Sequence, residues 1–143
     1  MTTSFSLRTK AEMAHVRRMA KAVLTILAED IADQDELYDI YLLLFEAVTN
    51  VVRHAYSQDA AGDVEVRVRV DAGESVEFQV IDWGCGFPCG KVEVKNVAPE
   101  EEAGRGLLIM TGLSDEMCVE HNGERNIVAL KRKIRNESWK ACA

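Results

Sequence analysis

Glu46, Asn50 and His54 stand at intervals of four in the stretch EAVTNVVRHAY (46–56), and Arg53 follows Asn50 by three. On a helix, residues three and four apart share a face, so a carboxylate, an amide, an imidazole and a guanidinium would stack in one row. Taken alone, such a row reads as the solvated side of an amphipathic helix. Asn50 in mid-helix is the anomaly, because its propensity is poor and its side chain competes for backbone hydrogen bonds.

Two further stretches carry groups of a chemical kind. VIDWGCGF ends an apolar run in Asp82, with Gly84 and Gly86 behind it. A carboxylate at a strand end can accept a hydrogen bond from an exocyclic amine such as adenine carries. Glycines there let the backbone approach a ligand closely or take a positive φ. In EEAGRGLLIM, Gly104 and Gly106 precede an expected helix start, where free N–H groups and the helix dipole favour a phosphate. Arg105 between them adds positive charge. Each of the last two also reads as a plain turn or loop. Neither is a dinucleotide fingerprint, which needs a preceding strand, nor a Walker loop, which needs Gly-Lys-Ser/Thr.

The elements that must position these groups follow from periodicity. Residues 4–8 alternate as a short strand, and Thr9 with Glu12 has the spacing of a capping box. Apolar residues at helical spacing run from Met13 to about Ala28, with Arg17, Arg18 and Lys21 on the other side. The acidic run EDIADQDE supplies negative charge at the start of a second helix, about 35–56. Its apolar stripe comprises Tyr41, Leu44, Phe45, Val48, Val51, Val52 and Ala55. The period then becomes two. Strands are expected near 64–70 and 76–82, turning at Ala72-Gly73-Glu74, with Val64, Val66, Val68 and Val70 on one face. A mobile loop is expected over 84–105, a short helix over about 106–113, and a hairpin near 116–121 and 126–134. The tail RNESWKACA is expected to fray. This order makes an α/β two-layer sandwich, a mixed and mostly antiparallel sheet with helices on one face, in a single domain spanning 1–143.

Composition bounds the function. The chain has 143 residues, 48% of them hydrophobic and 29% charged, as expected of a soluble globular protein. A net charge of −7 lacks the basic footprint of a nucleic-acid binder. No apolar run approaches the roughly 20 residues of a membrane span. The N-terminus lacks the basic-then-apolar order of a signal peptide, so a cytoplasmic location is expected. Cys85 and Cys89 have no second pair or histidine cluster to complete a zinc site, and reduced thiols are expected.

The three motifs in this order resemble the GHKL family of ATP-binding domains. EAVTNVVRHAY is similar to its N box, DWGCGF to its first glycine box and GRGLLIM to its second. The short chain and the form EAVTN…HAY most resemble the anti-sigma-factor serine kinases of bacterial partner-switching systems, over about residues 4–134. The resemblance implies ATP and Mg²⁺ as cofactors. It implies Asn50 as the magnesium ligand and Glu46 as the base that takes a proton from a partner's serine or threonine. It implies Asp82 as the reader of the adenine amine, with Gly84 and Gly86 beside the base. Arg53 and His54 would line the pocket, while Gly104, Arg105, Gly106 and Leu107 would close on the phosphates. Residues 88–103 would form a lid. The implied partners are a sigma factor, which Arg17 would contact, and a STAS-type anti-anti-sigma protein, with a homodimer as the usual state. Two departures stand out. The last hairpin has Gly123-Glu124-Arg125-Asn126 where the family carries Gly-Thr, with Asn126 a candidate replacement, and the lid lacks a Thr/Ser-Lys-Pro pattern. A nucleotide-regulated binding module without catalysis is the competing reading.

Overall fold

The computed structural model describes residues 1–56, 61–85 and 102–141, with the backbone alone for 102–105. Strand β1 (Thr2–Lys10) leads to α1 (Met13–Leu27) and α2 (Gln34–His54). Strands β2 (Asp63–Asp71) and β3 (Ser75–Asp82) follow, then α3 (Glu102–Leu113), β4 (Glu116–Asn122) and β5 (Arg125–Lys133). The sheet order is β1-β2-β3-β5-β4, and every pairing is antiparallel. Among the described residues no helix is long and apolar enough to cross a membrane.

The two layers follow from the period-two pattern. Val64, Val66, Val68 and Val70 of β2 and Val76, Phe78 and Val80 of β3 are buried in one core with Val16, Val23 and Leu27 of α1 and Ile40, Leu44 and Val48 of α2. Between these valines, Arg67 and Arg69 stay exposed, so one face of the sheet is covered by helices and the other is wet. The β2–β3 turn takes a positive φ of 84° at Gly73, which glycine adopts without steric penalty. Helix α2 packs against both α1 and α3. Its burial is therefore wider than one stripe and takes in Leu37, Ile40, Leu43, Ala47 and Thr49. The Thr49 hydroxyl is satisfied there by donating to the Phe45 carbonyl at 2.8 Å.

Three local expectations are corrected. Thr9 does not cap α1: it is paired with Val64 in the ladder, and the strand runs on to Lys10. The N-cap residue is Glu12, which makes no side-chain capping bond. Helix α3 starts at Glu102 rather than 106, so Gly104, Arg105 and Gly106 lie in its first turns. The tail does not fray up to Lys140. Ile31 and Trp139 form a β-bridge, Ala32 donates its N–H to the Ser138 carbonyl at 2.9 Å, and the Ser138 hydroxyl donates to Asp33 at 3.1 Å. Trp139 packs against the core as it does so. The expected lid (88–103) lies almost wholly outside the described residues, as do Gly86 and Cys89.

Candidate functional site

Helix α2 is fixed in register by its N-terminus. Asp33 accepts hydrogen bonds from the N–H groups of Asp35 (2.9 Å) and Glu36 (3.3 Å), which satisfies two of the four orphan donors there. Those N–H groups, with Ser138, hold the Asp33 carboxyl below its ordinary value. From that cap the helix runs far enough to carry Glu46 and Asn50 one turn apart, both half-buried. Among the described residues neither side chain has a hydrogen-bond or ion-pair partner. A carboxylate and an amide left half-buried and unpaired are groups available to a ligand.

Helix α3 closes over that pair. A β-carbon on Gly106 would lie 2.9 Å from Glu46 Oε2, 3.7 Å from Asn50 Oδ1 and 3.9 Å from Asn50 Nδ2. The missing side chain therefore brings the α3 backbone against both groups. Glycine in a helix interior sacrifices roughly 1 kcal/mol against alanine, and here it gives that close approach. The helix begins at Glu102, so the unpaired N–H groups of its first turn lie within one turn of Gly106, an anion-favouring end beside Glu46 and Asn50. Leu107 anchors the turn by packing on the core.

A second cluster sits at the end of β3. Asp82 is buried at 7% exposure, and its Oδ1 accepts from the Gly84 N–H (2.9 Å) and from Asn126 Nδ2 (2.8 Å). Gly84 does not take a positive φ, and its missing side chain answers to a close approach within the protein. Any β-carbon there would fall inside the Ala55 carbonyl, and among the described residues positive φ occurs at Gly73 and Gly123 only. The glycine lets the turn after β3 press on the end of α2, where the Cys85 N–H donates to the Ala55 carbonyl at 2.9 Å. Ala55 is five residues beyond Asn50, so about 7.5 Å of helix separates the two clusters.

Tyr56 fastens the same junction, and the sequence reading gave it no role. Its hydroxyl donates to the Asp63 carbonyl at 2.6 Å and accepts from the Trp83 N–H at 3.0 Å. Burial pushes the phenol above its ordinary value. Arg53 and His54 are exposed in the last turn of α2, where positive charge complements the helix dipole. Arg17 is exposed on α1. The side chain of Arg105 is outside the described part.

The donor set fits a nucleotide with a hard divalent ion. Among the described residues no three His, Cys, Asp or Glu side chains converge into a metal cage. An amide oxygen beside phosphate and water ligands is the kind of site magnesium accepts. A depression lined by Ser4, Ser6, Arg67, Arg69, Glu77 and Gln79 lies on the wet face of the sheet, away from these groups.

The model of the histidine kinase-like ATPase domain matches residues 9–132. The chain belongs to that family. As an ATPase fold it binds ATP, and the clusters on α2, β3 and α3 are its candidate contacts. The chain is 32% identical over 112 residues to an anti-sigma F factor of Geobacillus stearothermophilus, covering 76% of each chain. It is 34% identical over 102 residues to the serine-protein kinase RsbW of Bacillus subtilis, covering 62% of this chain and 61% of that one. A crystal structure of RsbU and RsbW domains from Mycobacterium tuberculosis superposes with a TM-score of 0.66 at 22% identity, over 92% of this chain. This chain spans 32% of that longer protein, and the likeness shows the ATPase fold.

Proposed function

We propose that the chain is an ATP- and Mg²⁺-dependent serine/threonine protein kinase that also acts as an anti-sigma factor. Its phosphoryl acceptor would be a STAS-type anti-anti-sigma protein, in a cytoplasmic partner-switching circuit, with the kinase as a homodimer. The observation that carries this is the pair Glu46 and Asn50, half-buried, unpaired among the described residues and covered by the Gly106 turn of α3. The names of the relatives at 32% and 34% identity support the choice of kinase and partner class.

In this reading Asn50 offers its amide oxygen to the metal, and Glu46 accepts the proton of the attacking hydroxyl. Asp82 accepts from the amine of the base. The backbone of 104–106 faces the phosphates, joined by Arg105 and Leu107. Arg53 and His54 border the same pocket, Gly84 and Gly86 flank the base, and Arg17 meets the sigma factor. Bound Mg²⁺ neutralises charge on the triphosphate. The protein has mainly to position the reactants, which suits a site with one candidate base.

Incubation with labelled ATP and a STAS partner tests the assignment. Glu46→Gln is expected to lower transfer by about 100-fold or more, the range of general-base catalysis, with Mg-ATP affinity within about threefold of wild type. Full transfer by Glu46→Gln overturns the assigned base. ATP binding without transfer to any STAS partner selects the non-catalytic binding module instead.

A further inference from the structure

Asp82, Asn126 and His121 occupy one transverse row of the sheet, on three adjacent strands. Asp82 of β3 is opposite Asn126 of β5, which is opposite His121 of β4. All three side chains point to the helix-covered face. Asn126 is buried at 3% exposure, and its amide bridges outward in both directions.

The orientation of that amide is decided by chemistry. Nδ2 lies 2.8 Å from Asp82 Oδ1 and 3.1 Å from the Gly84 carbonyl. A backbone carbonyl only accepts, so the group facing it must be the NH₂. Asn126 Oδ1 is then the atom 2.7 Å from His121 Nδ1, and an amide oxygen only accepts. His121 therefore carries a proton on Nδ1 and donates it. Reversing the amide would set an oxygen against both the Asp82 carboxylate and the Gly84 carbonyl, so those two acceptors hold the amide one way round and the histidine N–H completes the row.

The consequence falls on Asp82. Its Oδ1 takes two donors, Asn126 Nδ2 and the Gly84 N–H, which fixes the rotation of the carboxylate. Among the described residues no donor reaches Oδ2. One oxygen is saturated by the protein, and the other is left as an acceptor.

We propose that Asn126, its amide oxygen taken up by His121, is the specificity-determining positioning residue of the nucleotide pocket: it fixes Asp82 as an acceptor toward the purine 6-position, so that a 6-amino base is taken and a 6-oxo base refused. This rests on the reading of Asp82 as the base-contacting residue. Sites built to pair one donor reject the analogue that lacks it, because a buried polar group is then left unpaired. A 6-oxo purine presents an oxygen to the Asp82 oxygen, which is worse than no group at all.

The test is calorimetric titration of the full chain with the Mg²⁺ complexes of ATP, inosine triphosphate (6-oxo) and purine riboside triphosphate (no 6-substituent). Wild type is expected to prefer ATP over inosine triphosphate by about 30-fold or more, the range of a lost charge-assisted hydrogen bond. Asn126→Leu removes the donor and is expected to narrow that ratio by about tenfold, with affinity for purine riboside triphosphate changed less than threefold. His121→Phe keeps a ring of similar volume but leaves the buried Asn126 Oδ1 without its donor, which loosens the row, and is expected to narrow the ratio in the same direction. A purely structural role would weaken all three nucleotides together. Should Asn126→Leu fail to fold, His121→Phe, at the half-buried end of the row, decides the matter. A wild type that prefers ATP, with an unchanged ratio in the folded variants, overturns the proposed row alone. A wild type that binds no purine triphosphate overturns the nucleotide-site reading beneath it.

Discussion

Arg132 of β5 joins three elements at the end of the helical layer remote from Asp82. Its Nε donates to Glu36 Oε1 at 2.6 Å, its Nη2 to Asp39 Oδ2 at 3.1 Å and its Nη1 to the Leu113 carbonyl, the last residue of α3, at 2.6 Å. The side chains of Arg132 and Glu36 are 16% and 9% exposed, whereas Asp39 is 37% exposed. Burial alone would lower the guanidinium's proton affinity, but the hydrogen bond and charge of Glu36, then Asp39, raise it overall. The guanidinium therefore stays charged throughout the accessible pH range.

Replacing Arg132 by Met keeps most of the stem and removes the head. Glu36 then remains in the interior without a counter-charge, and the Leu113 carbonyl loses its cap. Breaking a buried ion pair from one side destabilises by about 3–5 kcal/mol. The exposed Asp39 arm adds little to this. Because Glu36 keeps a narrow path to water, the lower end applies, about 3 kcal/mol. At roughly 3 °C per kcal/mol for a chain of this size, Tm should fall by about 9 °C. The double variant Arg132→Met/Glu36→Leu should recover most of the loss, because no orphaned charge is left. Urea unfolding followed by far-UV circular dichroism of wild type, both single variants and the double variant measures the four free energies that close the cycle. A single variant within about 1 kcal/mol of wild type, or a double variant no better than the single, refutes the reasoning.

The Asp33 cap makes stability acid-sensitive. A folded-state pKa held below the ordinary 3.8 contributes stability above that value and loses it as pH falls through the folded pKa. Urea midpoints should therefore decline as pH drops below 3.8, and Asp33→Asn, which can still cap, should flatten that decline. An unchanged slope in Asp33→Asn shows that other carboxyls carry the acid response. Trp139 packs on the core and donates its indole N–H to the Ile134 carbonyl at 3.3 Å. Trp139→Ala should lower stability by about 2 kcal/mol, roughly half the penalty of a fully buried tryptophan, with a denaturant midpoint to match. No measurable shift means the tail is not docked in solution.

How much of this was legible in the sequence depends on how local the deciding interaction is. The strands and helices were, because period two and period 3.6 are written residue by residue, and the acidic run at 33–36 marks the start of α2. Thr9 misled because a capping-box spacing says nothing of the competing ladder, and its partner Val64 lies 55 positions away. The tail misled for the same reason: Ser138 finds Asp33 across 105 residues. At the site, the row Glu46–Asn50 was readable from spacing, but its separation from the exposed Arg53 and His54 was not. Only the closeness of α3 distinguishes covered from open positions on one helix face. At Gly84 the motif suggested a positive φ, which the structure does not show, whereas the steric requirement from Ala55 leaves no trace in the motif.

Helix α2 is the common reference for all three segments of the candidate site. Its first turn is tied to β5 through Glu36 and Arg132, its middle bears Glu46 and Asn50 against Gly106, and its last carbonyl holds Cys85 and the turn after β3. Helix α3 is held at both ends by the same element, by close approach at Gly106 and through Arg132 at Leu113. Residues near 46, 82 and 106 are thus placed relative to one rigid rod rather than to each other. That sets where a change should propagate. A substitution that tilts α2, at Glu36 or at Gly84, should disturb the spacing between Asn50 and Asp82. One that alters only the outer face of the sheet, at Arg67 or Gln79, should leave it intact.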